Sequence, residues 1–298
     1  MRKYLILIYL LNGCFFSIFA QKKADKQEWI KLFNGKNLDG WDIKIAGENL
    51  NVNYKNTFRV ENGMMRIAYD QYKTFDDKFG HIYYKTPYSY YIIRFEYRFQ
   101  GEQLAGGASW NVRNSGVMLH SQSAKSLSKG QSFPVSLELQ LLGGLGKGER
   151  HTGNLCTPGT EVYMNGKIVT DHCTDSHSKT YHGDQWVKAE AIVYGDSLIH
   201  HIIEGDTVLT FEKLHIGGGF VSPDYDWKQA KIDNGAEWIK KDGQPLKGGY
   251  IAMQAESHAI DFRNIELLNL KGCTDPKASN YKSYYKESDN KSCTYRKK

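Results

Sequence analysis

No Cys-x-x-Cys pair occurs among the five cysteines of this 298-residue chain, so it carries no recognisable zinc site. Its lysines are scattered, and no basic stripe of the kind nucleic acid needs is formed. Acidic and low-complexity tracts are missing as well. After residue 20 no stretch approaches the ~20 apolar residues of a membrane helix. Apolar residues at helical spacing are nearly absent, which argues against a helical bundle.

The N-terminus has the layout of a cleaved secretory signal peptide over residues 1–20. Arg2 and Lys3 form a basic start, Tyr4 to Phe19 an apolar stretch, and Ala20 a small residue before a polar run. LNGC around Cys14 faintly suggests a lipoprotein site, although FFSIF would be an odd start for a mature chain. The mature protein is therefore expected to be soluble and exported, periplasmic or extracellular, with no stable membrane span. Cleavage removes Arg2 and Lys3 and lowers the formal charge of +6 by two. Four cysteines remain, Cys156, Cys173, Cys273 and Cys293, an even number suited to an oxidising compartment. The favoured pairing is local, Cys156 with Cys173 and Cys273 with Cys293.

Short aromatic and β-branched runs recur between Gly and Asn turns, thirteen or more of them, and they predict an all-β sandwich. In YYIIRFEYRF, Tyr91, Ile93, Phe95, Tyr97 and Phe99 share one face, and Arg94, Glu96 and Arg98 the other. Gly195-Asp196 and Gly205-Asp206 suit tight hairpins. Residues 221–249 carry charges and two tryptophans without strand period, which reads as a long functional loop with a short helix. From Gly272 a Cys-bounded appendix, residues 272–295, follows the last strand. It is too small to bury a core, and a disulfide closing it supplies about 3 kcal/mol.

VSLELQLL (135–142) poses the functional question. Leu137, Leu139 and Leu141 fall on one strand face, and Glu138 and Gln140 on the other, beside Ser136. Periodicity alone does not say whether that polar face is wet or is the floor of a site.

KLFNGKNLDGW (31–41), NSGVMLH (114–120), VSLELQLL and YIAMQAESHAIDFRNIEL (250–267) together resemble the 3-keto-glucoside lyase / 2-hydroxy-3-keto-glucal hydratase family, also called 3-keto-disaccharide hydrolases. GNLCTPGT (153–160) and TYHGDQW (180–186) are similar to one branch of it. The resemblance runs over residues 28–270. It implies a concanavalin-like jelly roll and an exported enzyme acting on 3-keto-glycosides, supplied by an upstream sugar 3-dehydrogenase. It also implies a divalent metal ion held by carboxylate and imidazole, and no organic cofactor. The appendix resembles a Cys-closed module found at the ends of exported proteins, and reads as a spacer.

The implied chemistry needs a base for the C2 proton, a stabiliser for the oxyanion at O2 and O3, and an acid for the leaving oxygen. Glu138 matches the glutamate of the family's glutamate-x-glutamine strand and is the leading base or metal ligand, with Gln140 beside it. His120, expected on the face of Met118 opposite Val117 and Leu119, is the second catalytic and metal-ligand candidate. Arg113 and Asn114 precede that strand and are placed to bind sugar hydroxyls. Gln254, Glu256 and His258 alternate along YIAMQAESH, so Gln254 and Glu256 are expected to bind substrate and His258 to join the catalysis. His182 and Asp184 lie on a turn as acid or ligand groups. Arg263 is expected to pair with Asp261 or Glu266. His151, in the basic GKGERHTG, is a further candidate to face the substrate, and His172, His200 and His201 read as ordinary positions. Trp110, Trp227 and Trp238 suit sugar stacking, whereas Trp41 and Trp186 read as core. Two other functions compete: a non-catalytic carbohydrate-binding sandwich, and ordinary glycoside hydrolysis by two carboxylates, with Glu190 or Glu256 facing Glu138.

Overall fold

The computed structural model describes residues 25–296, and the signal peptide expected over residues 1–20 lies outside the described residues. Strand Tyr90–Gln103 organises the larger of two antiparallel sheets, because its alternate aromatic side chains, from Tyr91 to Phe99, are all buried. It pairs with Val187–Tyr194 on one side and His258–Asn269 on the other, at the centre of a ten-stranded sheet. The facing seven-stranded sheet runs in the order Cys173–Thr174, Asn154–Cys156, Leu137–Leu142, Asn114–Ser121, Gly249–Ala255, Gly80–Tyr88 and Trp41–Ile45. One continuous apolar core fills the space between the sheets. Leu137, Leu139 and Leu141 belong to it and are wholly buried. This is the concanavalin-like jelly-roll sandwich that the resemblance implies.

Local choices agree with this architecture. The hairpin ending in strand Asp206–Ile216 turns at Glu204 and Gly205, both at positive φ (51° and 93°), the backbone a two-residue turn requires. Residues 221–249 form the expected loop with one short α-helix, Gly235–Ile239. No described helix is long and apolar enough to cross a membrane. Cys156–Cys173 and Cys273–Cys293 are both disulfide-bonded. The second closes the C-terminal appendix, which leans on the start of the sandwich through Lys282 to Glu28 and the Ser283 amide to Asp25.

The outer face of the ten-stranded sheet corrects two expectations. Arg263 pairs with Glu96 across the strand interface, because Asp261 is taken by Arg66 and Arg98, and Glu266 by Arg94. Trp186 is half-buried on this outer face and lies beneath two guanidinium groups, Arg98 at 4.5 Å and Arg263 at 3.9 Å, not in the core. Trp41 is in the core.

Asp261 is the one member of this ladder whose side chain is fully buried, held by Arg66 at 2.6 and 2.9 Å and by Arg98 at 2.9 Å. Removing one partner from such a group leaves desolvated charge unpaired. Asp261→Ala should therefore lower unfolding free energy by about 3 kcal/mol in urea titration. A change within error of wild type would show that the ladder is merely a solvated surface.

Candidate active site

Register determines what gathers on the outward face of the seven-stranded sheet. Met118 lies opposite Glu138, and Glu138 opposite Cys156. One pleat along, Gly116 lies opposite Gln140, and Gln140 opposite Asn154. On the other side Ala252 faces Met118, Met253 faces Val117, and Gln254 pairs with His81. Gln254 therefore comes level with Gly116. That glycine makes room for the carboxyl: a Cβ there would overlap Glu138 Oε1. Glu138 thus leans over the neighbouring strand, between the positions of Gln140 and Gln254.

This face is covered by the segment after strand Asn114–Ser121. Ala124 and Leu127 pack on Tyr83, Met118 and Ala252. The Gln122 side-chain oxygen accepts hydrogen bonds from the Val135 amide (2.8 Å) and Gln131 Nε2 (3.1 Å), which ties the segment's two ends together. Lys44 and the Gly47 amide donate to the Lys129 carbonyl, and the Asp233 amide to Ser128 Oγ, so the long loop buttresses the cover.

Beside the cover opens a cleft of about 560 Å³ whose polar lining is Glu138, Gln140, Asn114, Glu256 and His172. Glu138 and Glu256 are only 6% and 2% exposed. Asn154 Nδ2 donates to Gln140 Oε1 at 3.2 Å, which leaves the Gln140 amide nitrogen as a free donor. Asn114 donates to the Trp110 carbonyl at 3.2 Å, and its Oδ1 has no protein partner. Gln254, level with Gly116, does not line the cleft but is wholly buried next to it in register, with both amide atoms unpartnered. Unpartnered buried polar groups carry a desolvation penalty, so their retention beside a cleft points to ligand contact.

Burial pushes the Glu138 carboxyl up to about 8. Glu256 is also raised well above the usual carboxylate range, first by burial and then by the charge of Glu138. Two carboxyls in one dry site resist ionising together, and the pair retains protons near neutrality.

Four other expected site residues lie elsewhere, for backbone reasons. His120 has φ +49°, a left-handed residue that breaks the alternation, and the ladder to strand Gly249–Ala255 shifts register there. Its ring consequently does not share the face of Met118 but turns into the sandwich, edge-on to Tyr91 at 5.8 Å, and its Nε2 lies 3.1 Å from the Gly195 carbonyl oxygen. Burial holds its pKa down at about 4. Ser257, at φ +69°, likewise ends the alternation of Gln254 and Glu256, so His258 turns edge-on to Phe99. Arg113, at φ +46°, points away from its neighbour Asn114. Arg113 and His258 share a separate depression of about 490 Å³, where Arg113 pairs with Asp184 at 2.7 Å. His182 sits beside it and accepts a hydrogen bond from the Gly146 amide.

The ligand pair expected for a divalent ion, Glu138 with His120, is therefore not brought together. Among the described residues no three His, Cys, Asp or Glu side chains converge as a metal-binding group. Glu190 lies on the outer face of the other sheet, in a groove with Arg94 and Lys188, and cannot meet Glu138. Of the tryptophans, Trp110 lines the cleft; Trp238 is buried, and Trp227 packs behind Phe220 and Tyr225. His172 reaches the cleft because its neighbour Cys173 is bonded to Cys156, the strand partner of Glu138. The adjacent cysteine is the one sequence signal that points to it. Phe133, Phe220 and Tyr225 come from loops, and no strand pattern marks them.

A family model described as the 3-keto-alpha-glucoside-1,2-lyase-like domain matches residues 28–268. No curated protein matches the chain. Among solved structures, a candidate glycosyl hydrolase from Parabacteroides distasonis ATCC 8503 aligns with 18% identity and a TM-score of 0.45, over 82% of this chain and 100% of that one. The Bacillus licheniformis β-glucanase aligns with 13% identity and a TM-score of 0.42, over 84% and 99%. The laminarinase of Rhodothermus marinus gives 9% and 0.42, over 81% and 96%.

The buried carboxyls make a stability prediction. A raised pKa means that the native state holds a proton which the unfolded chain has released, so stability falls as pH rises between the ordinary value of 4.5 and about 8. The slope from one such group is about 1.4 kcal/mol per pH unit. Glu138→Gln should therefore raise the melting temperature at pH 8 and flatten its decline above pH 5, read by calorimetry. A variant no more stable than wild type at pH 8 would refute the assignment.

Proposed function

The chain belongs to the 3-keto-alpha-glucoside-1,2-lyase-like domain family, and from that premise we propose that it is an exported enzyme cleaving 3-keto-glycosides by elimination, followed by hydration. Membership makes it a carbohydrate-active enzyme; the reaction and the export are the proposal. The observation that carries it is the pair Glu138 and Glu256 in one cleft, both with raised pKa, with neutral amides around them.

The ketone at C3 acidifies the C2 proton. Ionised Glu138 takes that proton, leaving an enolate across C2, C3 and O3. The Gln140 amide nitrogen is a donor for the developing oxyanion. When the enolate collapses, the C3 carbonyl reforms, a C1–C2 double bond appears, and the C1–O bond breaks. The departing oxygen takes the proton of Glu256, which burial and the neighbouring Glu138 charge hold on its carboxyl. Water then adds across the double bond, its oxygen to C1 and a proton to C2, and the sum is hydrolysis. Asn114, which lines the cleft, is assigned to a sugar hydroxyl, and the buried Gln254 amide backs the floor beside Gly116. The metal drawn from the family resemblance enters no step, because its expected ligands are not assembled. A substrate oxidised at C3 requires a sugar 3-dehydrogenase upstream.

The place of Glu256 beside Glu138 also favours a second reading, direct hydrolysis of unoxidised glycosides by two carboxyls. One assay separates the two. The purified protein should release the aglycone from a 3-keto-glucoside and leave the parent glucoside intact, and Glu138→Gln should lose at least about a hundredfold in kcat. Comparable turnover of the parent sugar would favour the second reading and end the first. The pH profile is a further check: kcat/KM should rise as Glu138 ionises, through about pH 8. A limb that falls over that range would remove Glu138 as the base.

A further inference from the structure

The cleft has a second character beyond its polar floor. Its walls are aromatic and come from two distant parts of the chain. Trp110 is 55% exposed and lies parallel to Phe79 (6.2 Å, 9° between planes), while Phe79 contacts Phe133 at 4.8 Å. Tyr225, 39% exposed, stands against Phe220 at 6.0 Å and Trp227 at 5.5 Å. Both open rings are thus propped from behind by other rings, and neither is needed to close the core. Open aromatic surface held rigid beside a polar floor marks a binding wall.

The reaction proposed above occupies Glu138, Glu256, Gln140 and Asn114 with the oxidised sugar. What remains to meet the leaving group is aromatic surface, the Cys156–Cys173 disulfide, the His172 imidazole and the Tyr225 hydroxyl. A second sugar would bring several hydroxyls to a wall with two polar groups, and unpartnered hydroxyls are costly to desolvate. An aromatic ring would instead gain burial and stacking. Resting on the elimination reading, we propose that the leaving group is an aromatic alcohol. The substrate class is then 3-keto aryl glucosides, with Trp110 and Tyr225 as specificity residues. In the elimination the C1–O electron pair leaves on the aryl oxygen, which accepts the Glu256 proton and departs as a neutral phenol, while C1 joins C2 in the new double bond.

Two arms test this with the full-length protein. In the first, turnover of 3-keto phenyl glucoside, in both anomers, is compared with that of a 3-keto-disaccharide. We expect kcat/KM at least roughly tenfold higher for the phenyl substrate, and Trp110→Ala to raise its KM by a similar factor, with a smaller effect on the disaccharide. Equal or reversed preference overturns the proposal. The second arm does not depend on turnover: binding of unoxidised phenyl glucosides and of a disaccharide to the Glu138→Gln protein, by calorimetry. The phenyl glucoside should bind more tightly and lose roughly tenfold with Trp110→Ala. Indifference to the aglycone or to Trp110 refutes the aryl site, even if no keto-sugar is cleaved. If binding behaves as expected and turnover is absent, the aryl site stands and the elimination reading falls.

Discussion

The molecule depends on one constraint, the alternation of side chains across the seven-stranded sheet. Leu137, Leu139 and Leu141 must enter the core between the sheets, and the same backbone then obliges Glu138 and Gln140 to face outward. Register carries that obligation from strand to strand, so Gly116, Gln140, Asn154 and Gln254 arrive at the same level from four different strands. The polar floor is thus the reverse side of core packing, and hydrophobic burial fixes its geometry. The cover formed around Ala124 and Leu127 then converts an outward face into an interior.

That conversion is unfavourable to the fold and useful to chemistry. An acid kept protonated by burial is a proton donor, and the same environment makes its neighbour a strong base once ionised. Gly116 contributes by what it lacks, since a methyl group there would displace the Glu138 carboxyl. The Cys156–Cys173 bond secures the edge of the sheet next to Glu138, and carries His172 to the cleft.

Much of this is legible in the amino-acid sequence itself. Short alternating runs announce the sandwich, because period-two burial writes itself directly into strands such as Tyr90–Gln103. The spacing of cysteines suggests both disulfides. The pairing of Glu138 with Gln140 is visible for the same reason as the sandwich. What is illegible falls into two kinds. A count by twos places His120 and His258 on the wrong face, because counting fails where a left-handed residue inserts an extra step. Phe133, Phe220 and Tyr225 approach the cleft from loops, whose course depends on tertiary contacts that no local pattern encodes. Arg263 and Trp186 escape a local reading because their neighbours on the outer face, Glu96 and Arg98, are distant in sequence.

Three non-glycine residues with positive φ, Arg113, His120 and Ser257, lie at or near the ends of strands that floor the cleft. His120 and Ser257 act as phase resets: beyond each, odd and even positions exchange faces. His120 closes strand Asn114–Ser121 and Ser257 follows strand Gly249–Ala255, whereas strand Leu137–Leu142, which carries Glu138, has no such residue at either end. A one-residue insertion or deletion within Asn114–Ser121 exchanges floor and core for every position between it and His120. The strand that lends Gly116 to the Glu138 carboxyl therefore tolerates no change in length.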